Sequence, residues 1–208
     1  MKRIGLTGGI ATGKSTISKM IKDLGLSLID ADILAREVVG PGSFGLRALV
    51  QVFGNDNLKN GKEFSELDRA KLSQKLFSDP DCRRVVENIT HPLIQWRAKQ
   101  EFEILSRRGE KLVFYDAALI FEKNLNKNFD HVVVVHTGTD EKALKIQIDR
   151  LMSRDNLSLI IAKERLSAQM PMAGKIKGAN FLINNSESLK KTEEQVKDLI
   201  QKLLHESS

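Results

Sequence analysis

Hydrophobic and polar positions divide the chain into short apolar runs and longer segments with helical period. Residues 2 to 7, Lys-Arg-Ile-Gly-Leu-Thr, form a short apolar run that stops at glycines, the pattern of a buried strand feeding a turn. From Lys14 onward Ile17, Met20, Ile21 and Leu24 recur at helical spacing until Gly25 ends the pattern. Leu26 to Ile29 reads as a second strand, ending at Asp30-Ala31-Asp32. Two further strands are predicted at Lys111 to Asp116 and His131 to His136, separated by an Asn/Lys-rich turn at 123 to 128, and a fifth at Phe181 to Asn184. The closing helix places Leu189, Val196, Leu199, Ile200, Leu203 and Leu204 on one stripe.

Apolar strands interleaved with helices predict an α/β fold, a doubly wound parallel sheet of about five strands with helices on both faces. Between strands two and three lie about eighty residues, too many for a plain crossover. Pro41-Gly42 and Asn60-Gly61 mark turns there, Ser65-Glu66-Leu67-Asp68 has the capping-box pattern, and Asp79-Pro80 and His91-Pro92 read as helix starts. A mainly helical insertion is therefore expected over 40 to 105.

Composition narrows the setting. The 208 residues carry a formal charge of +6, with 41% hydrophobic residues, an ordinary globular balance. A single cysteine, Cys82, excludes an internal disulfide framework. No apolar run reaches the length of a membrane span, and the N-terminal run meets Gly8-Gly9 before a signal peptide can develop, so a cytoplasmic protein is expected. The basic balance favours anionic partners, but aromatics make up only 5% of the chain, which argues against a nucleic-acid stacking surface. Residues 145 to 177 hold seven basic against three acidic residues, so a net +4 of the surplus is local.

Chemistry enters at Gly8-Gly9-Ile10-Ala11-Thr12-Gly13-Lys14-Ser15, which fits G-x-x-x-x-G-K-[ST] at every fixed position, between a predicted strand and a predicted helix. Such a loop turns successive N–H groups toward a phosphate at a helix N-terminus, so residues Gly8 to Thr16 are the expected ATP site. Lys14 would reach the β and γ phosphates, and the Ser15 hydroxyl would ligate Mg²⁺. Asp116 ends an apolar strand; a carboxylate there either caps a turn or faces magnesium or substrate. A GTPase switch is excluded: no Asp is followed by Gly at the third position, and in Asn126-Lys127-Asn128-Phe129-Asp130 the Asp comes one residue too late for N-K-x-D.

Strand two delivers Asp32, with Arg36 four residues on. A carboxylate there can orient an acceptor hydroxyl and take its proton while Arg36 holds an anionic part of the acceptor; the competing reading is a helix cap and an i,i+4 pair. Arg150 and Arg154 also stand four apart, either as a solvated basic face or as lid cations that meet the anionic transition state of phosphoryl transfer.

Taken together, these residues resemble the dephospho-CoA kinase family. The likeness runs through Gly5-Leu6-Thr7-Gly8-Gly9-Ile10, Gly13-Lys14-Ser15, Asp30-Ala31-Asp32, Ala35-Arg36 and Pro41-Gly42. It continues in Leu67-Asp68-Arg69, His91-Pro92-Leu93-Ile94, Leu119-Ile120-Phe121-Glu122, Gln147, Arg150-Leu151, Arg154-Asp155, Gln169-Met170 and Asn184-Asn185. The resemblance implies transfer of the ATP γ-phosphate to the ribose 3′-hydroxyl of dephospho-CoA, the last step of coenzyme A synthesis. It implies ATP with Mg²⁺ and dephospho-CoA as the bound species, without nucleic acid or membrane, in a monomer or small homo-oligomer. A core of 1–39, 106–139 and 178–208 would carry the nucleotide, 40–105 the acceptor, and 140–177 the lid. By position, Asp32 corresponds to the base, Arg36 and His91 to the acceptor side, and Arg150 or Arg154 to the lid. Lys14 and one of those two arginines are then expected to share the charge of the transferring phosphate, with Asp32 and Asp116 expected beside the acceptor. Departures from the family pattern are Ala11-Thr12 in the loop, Ala118 for a proline, and Gly174 and Asn180 for two acids. If position 11 has positive φ, its alanine costs on the order of 1 kcal/mol. The residues alone leave two rivals: a kinase of another small hydroxyl or nucleotide acceptor, and an ATP-binding regulator that acts with nucleic acid.

Overall fold

The computed structural model describes residues 1–59 and 66–205. Its sheet has five strands, β1 (Lys2–Gly8), β2 (Ser27–Asp30), β3 (Leu112–Asp116), β4 (His131–His136) and β5 (Phe181–Asn184), in the order β2-β3-β1-β4-β5. β1 pairs in parallel with β3 and β4, and β4 with β5. Parallel strands buried on both faces need apolar residues at nearly every position, which is why these runs show no alternation. Period two still sorts their sides. Val133 and Val135 join Ile4, Leu6 and Phe114 under α1 (Lys14–Asp23) and α9 (Leu189–His205), whereas Val132 and Val134 pack with Ile120, Phe129, Met172 and Ile176.

The chain folds as two compact units, Met1–Ile29 with Leu105–Ser208, and Asp30–Ile104. The second is helical, built from α2 (Ala31–Glu37), α3 (Phe44–Phe53), α4 (Arg69–Ser78) and most of α5 (Pro80–Arg107). Val39, Leu46, Leu49, Leu58, Leu67, Leu72 and Val86 form its core, with Val38 packed against them. The helical unit begins at Asp30, ahead of the position 40 expected from turn signals, because Val38 and Val39 sink into this core and carry α2 with them.

Two local expectations are corrected. His91-Pro92 is not a helix start but lies inside α5, which runs on through Pro92 with one main-chain donor fewer. Asp79-Pro80 does start it, since the Asp79 carboxylate accepts from the N–H groups of Asp81 and Cys82. Leu189 and Leu204 are exposed on α9, and Thr192 joins the buried stripe instead. α4 is capped by Asp68, which accepts from the Lys71 N–H; Ser65 and the Asn60-Gly61 turn lie outside the described residues. No helix among the described residues is long and apolar enough to cross a membrane.

The first unit also holds three helices between β4 and β5: α6 (Glu141–Asp155), α7 (Leu159–Ser167) and α8 (Met172–Lys177). Asp140 and Ser158 cap the first two. Asn156 ends α6 at φ 52°, the left-handed turn that lets the chain reverse into α7.

Candidate active site

β1 ends at Gly8 and α1 begins at Lys14, so residues 9–13 connect a central strand to a helix N-terminus. Gly13 occupies the N-cap at φ 91°, with no side chain capping the helix, and a Cβ there would collide with Asn185 Nδ2. Only glycine satisfies both the angle and the approach. Ala11 sits at φ 58°, the left-handed conformation that alanine resists by about 1 kcal/mol. The loop is tightened by Thr12, whose N–H and hydroxyl both reach the Gly9 carbonyl at 3.3 and 2.8 Å. The Thr16 N–H closes on the Gly13 carbonyl at 2.9 Å, so the first turn of α1 presents the Lys14 and Ser15 N–H groups and the positive dipole end at the mouth of this loop.

Lys14 Nζ is ion-paired with Asp116 Oδ1, and Ser18 Oγ donates to Asp116 Oδ2 at 2.5 Å. Asp116, 5% exposed at the C-terminal end of β3, is therefore a hydrogen-bonded anion facing the loop rather than a turn cap. Ser15 is exposed in the first turn of α1. Hydroxyl and carboxylate oxygens are the donors Mg²⁺ prefers, so Ser15 and Asp116 fit that ion. Among the described residues no group of three or more His, Cys, Asp or Glu is gathered for a metal, so the remaining ligands would come from phosphate and water.

Arg150 and Arg154 diverge. Arg150 Nη2 donates to the Asn185 carbonyl at 3.0 Å, while its buried Nη1 has no hydrogen-bond partner among the described residues and lies 3.9 Å from the Gly13 Cβ position. Arg154 instead lies on the Asp155 carboxylate, Nε to Oδ1 at 2.7 Å, and Arg165 takes the same carboxylate at 2.9 Å. Those hydrogen bonds and charges raise the Arg154 pKa and hold Asp155 below the ordinary carboxylate range.

Sequence reasoning assigned no role to the residues that frame this loop. Asn185, 5% exposed, donates through Nδ2 to the Thr12 carbonyl at 2.8 Å, accepts from Thr192 on α9 at 3.0 Å and receives Arg150 on its own carbonyl. Its place just after an apolar strand was the available signal. Lys175, fully buried, pairs with Glu122 at 2.7 Å and donates to the Ala118 carbonyl at 3.0 Å. Burial pushes the Glu122 carboxyl up, but the hydrogen bond from Lys175, its own backbone and the Met170 N–H together hold it below the ordinary value. Asn180, one of the departures from the family pattern, exchanges hydrogen bonds with Val132 through its N–H at 2.9 Å and its Oδ1 at 2.8 Å, which extends the β4–β5 pairing by one residue. A cleft of about 800 Å³ opens beside Gly9, lined by Leu144, Gln147, Leu166, Met170 and Met172.

In the helical unit, the Asp30 carboxylate caps α2 by accepting from the N–H groups of Asp32 and Ile33 at 2.9 and 3.3 Å. That leaves the Asp32 side chain, in the first turn, exposed and unpaired among the described residues, and no ion pair joins it to Arg36. Arg36 lines a cavity of about 400 Å³ together with Lys59, Asp68, Arg69 and Pro41. His91 is half-buried in the middle of α5.

A phosphate loop after a central strand of a parallel β2-β3-β1-β4-β5 sheet, with its lysine on a strand-end carboxylate and an arginine aimed at the loop, defines the class: this is a P-loop kinase. The family model described as CoaE: Dephospho-CoA kinase matches residues 2–191. The chain is 44% identical over 203 residues to the dephospho-CoA kinase of Listeria monocytogenes serovar 1/2a, covering 98% of each protein. It is 42% identical over 193 residues to that of Geobacillus kaustophilus, covering 93% of this chain and 92% of the relative. Among solved structures, dephospho-CoA kinase from Campylobacter jejuni superposes with a TM-score of 0.72 at 30% identity, over 97% of this chain and 96% of that one. A Thermus thermophilus protein does so with a TM-score of 0.80 at 29% identity, over 97% of both. The chain belongs to the dephospho-CoA kinase family.

Proposed function

We propose that the family's activity, ATP-dependent phosphorylation of dephospho-CoA, is carried here by Lys14, Arg150 and Asp32 at the ribose 3′-hydroxyl. The observation that carries this reading is the loop itself: left-handed Ala11 and Gly13, an uncapped helix start, Lys14 held at Asp116, and a buried arginine nitrogen beside Gly13. The phosphates of ATP would draw Lys14 from Asp116 and use the first-turn N–H groups of α1. Arg150 Nη1, already desolvated, would share the charge on the transferring group. Mg²⁺, when bound, would be held by Ser15 with Asp116 and would neutralise charge on the β and γ oxygens.

Asp32 is the proposed base, supported by its exposed side chain, which the Asp30 cap leaves free. The 3′-hydroxyl oxygen forms a bond to the γ phosphorus, the bond from that phosphorus to the bridging oxygen breaks, the hydroxyl proton passes to Asp32, and ADP leaves. Arg36 and Arg69, in a cavity that also holds Asp68 and the Lys59–Glu66 ion pair, are proposed to meet an anionic part of the acceptor, and His91 is assigned to the same side. A single cysteine, buried and free, suits a reducing compartment and supports the reading of a cytoplasmic enzyme.

The decisive experiment is ADP release measured over dephospho-CoA, AMP, adenosine and shikimate. Release that depends on dephospho-CoA alone is expected; equal or faster turnover with another acceptor would replace the substrate. Asp32→Asn is expected to keep ATP binding and lower turnover by roughly 10² or more, the usual scale for a general base. Near wild-type turnover in that variant would remove Asp32 from the mechanism.

A further inference from the structure

Ile10 lies within the phosphate loop, and both its main-chain polar groups, one in each peptide unit that flanks it, are taken by side chains from outside. Gln169 Oε1 accepts from the Ile10 N–H at 2.8 Å, and Gln147 Nε2 donates to the Ile10 carbonyl at 2.9 Å. The partners fix each amide's orientation, since an N–H needs an acceptor and a carbonyl a donor. Gln147 comes from α6 and is 7% exposed; Gln169 follows α7, so the two arrive from opposite ends of the segment between β4 and β5.

Their surroundings hold them in place. Met170, next to Gln169, donates its N–H to Glu122, which also binds buried Lys175. A Cβ at Gly9 would stand 2.8 Å from Met172 Cε and 3.0 Å from Gln147 Nε2, so glycine is what lets these side chains press on the loop. Ile10 and Ala11 pack against Ile148, Leu151 and Ala162. Immediately after this doubly held residue, Ala11 adopts the left-handed angle of 58° that alanine resists.

We infer that Gln147 and Gln169 are positioning residues that clamp the main chain on both sides of Ile10, keeping Ala11 left-handed and the loop in cradle form before nucleotide arrives. This rests on the reading that the loop binds ATP. Neither glutamine need touch the reacting atoms. Preorganisation of this kind appears in nucleotide affinity and not in the chemical step, because bound phosphates hold the loop themselves.

The test uses the full-length enzyme and measures the Kd for Mg-ATP, KM and kcat with dephospho-CoA, and Tm, for Gln169→Leu, Gln147→Leu and the double variant Gln169→Leu/Ala11→Gly. Loss of one such hydrogen bond is expected to weaken Mg-ATP binding about tenfold in either single variant, with kcat within about twofold. Glycine reaches the left-handed angle unaided, so the double variant is expected to recover most of the lost affinity. Gln169 is half-buried and carries the test should the more buried Gln147→Leu fail to fold. Mg-ATP affinity within twofold of wild type in Gln169→Leu, with or without a lower Tm, would overturn the clamp, as would failure of Ala11→Gly to restore affinity. Failure of the wild-type chain itself to bind Mg-ATP in the same titration would instead overturn the parent reading.

Discussion

Arg150 and Arg154 stand four residues apart on one helix, yet their partners give them different work. Arg154 shares the Asp155 carboxylate with Arg165 in an exposed cluster, whereas Arg150 spends one nitrogen on the Asn185 carbonyl and keeps a buried one beside Gly13. A desolvated donor beside a phosphate site is worth far more than a solvated one. Arg150→Ala is therefore expected to lower kcat/KM by roughly 10² or more, the scale for removing one preorganised donor, and Arg154→Ala to cost at least tenfold less. Steady-state kinetics of the two variants checks the ranking, and equal losses would defeat it. The sequence could not make this choice, because spacing puts both arginines on one helical face while distant partners separate them. The loop was legible because its glycines, lysine and serine are contiguous. Its supports were not: Gln147 and Gln169 reach Ile10 across 137 and 159 residues, and Asn185 reaches Thr12 across 173.

Elements were read best where a single periodicity governs them and worst where tertiary contacts overrule a local signal. β4 and β5 occupy the predicted residues because both faces of the sheet demand apolar side chains. Pro92 marked a helix start in sequence, but α5 runs through it for 28 residues, since burial of Val86, Ala98 and Phe102 on either side outweighs one missing hydrogen bond. α8 shows the converse: six residues with no capping side chain, anchored by a lysine whose charge is fully buried. Its stability depends on which partner remains when the pair is broken. Glu122→Ala strands the Lys175 ammonium, 0% exposed, and is expected to cost about 3–5 kcal/mol. Lys175→Met leaves Glu122, which is 19% exposed and still accepts from the Met170 N–H, so its cost is expected to be smaller. Urea denaturation near neutral pH measures both, and a larger loss for Lys175→Met would contradict the ranking.

For the molecule as a whole, the basic surplus is less available than composition implied. Of the seven cations between 145 and 177, Lys175 is neutralised by Glu122, and Arg154 and Arg165 share Asp155, which leaves Arg150 as the arginine directed at the loop. The same internal pairing governs how stability responds to acid. Burial lowers the His136 pKa below 6.5, and its Nδ1 accepts from the Gly138 N–H at 3.0 Å, a bond possible only for the unprotonated nitrogen. A depressed folded pKa means that the stabilising contribution is complete above about 6.5 and is lost as pH falls through the lowered value, where protonation favours the unfolded chain. Glu122 titrates below its ordinary 4.5 and Asp155 below 3.8, so their contributions persist through the histidine range and disappear only at lower pH. Unfolding free energy is thus expected to fall in two stages on acidification, the first beginning just under pH 6.5. His136→Asn supplies an uncharged acceptor for the Gly138 N–H and removes the titration. Chemical denaturation of this variant between pH 7 and 4 is expected to lack the first decline and keep the second, whereas an unchanged profile would show that the early loss arises elsewhere in the chain.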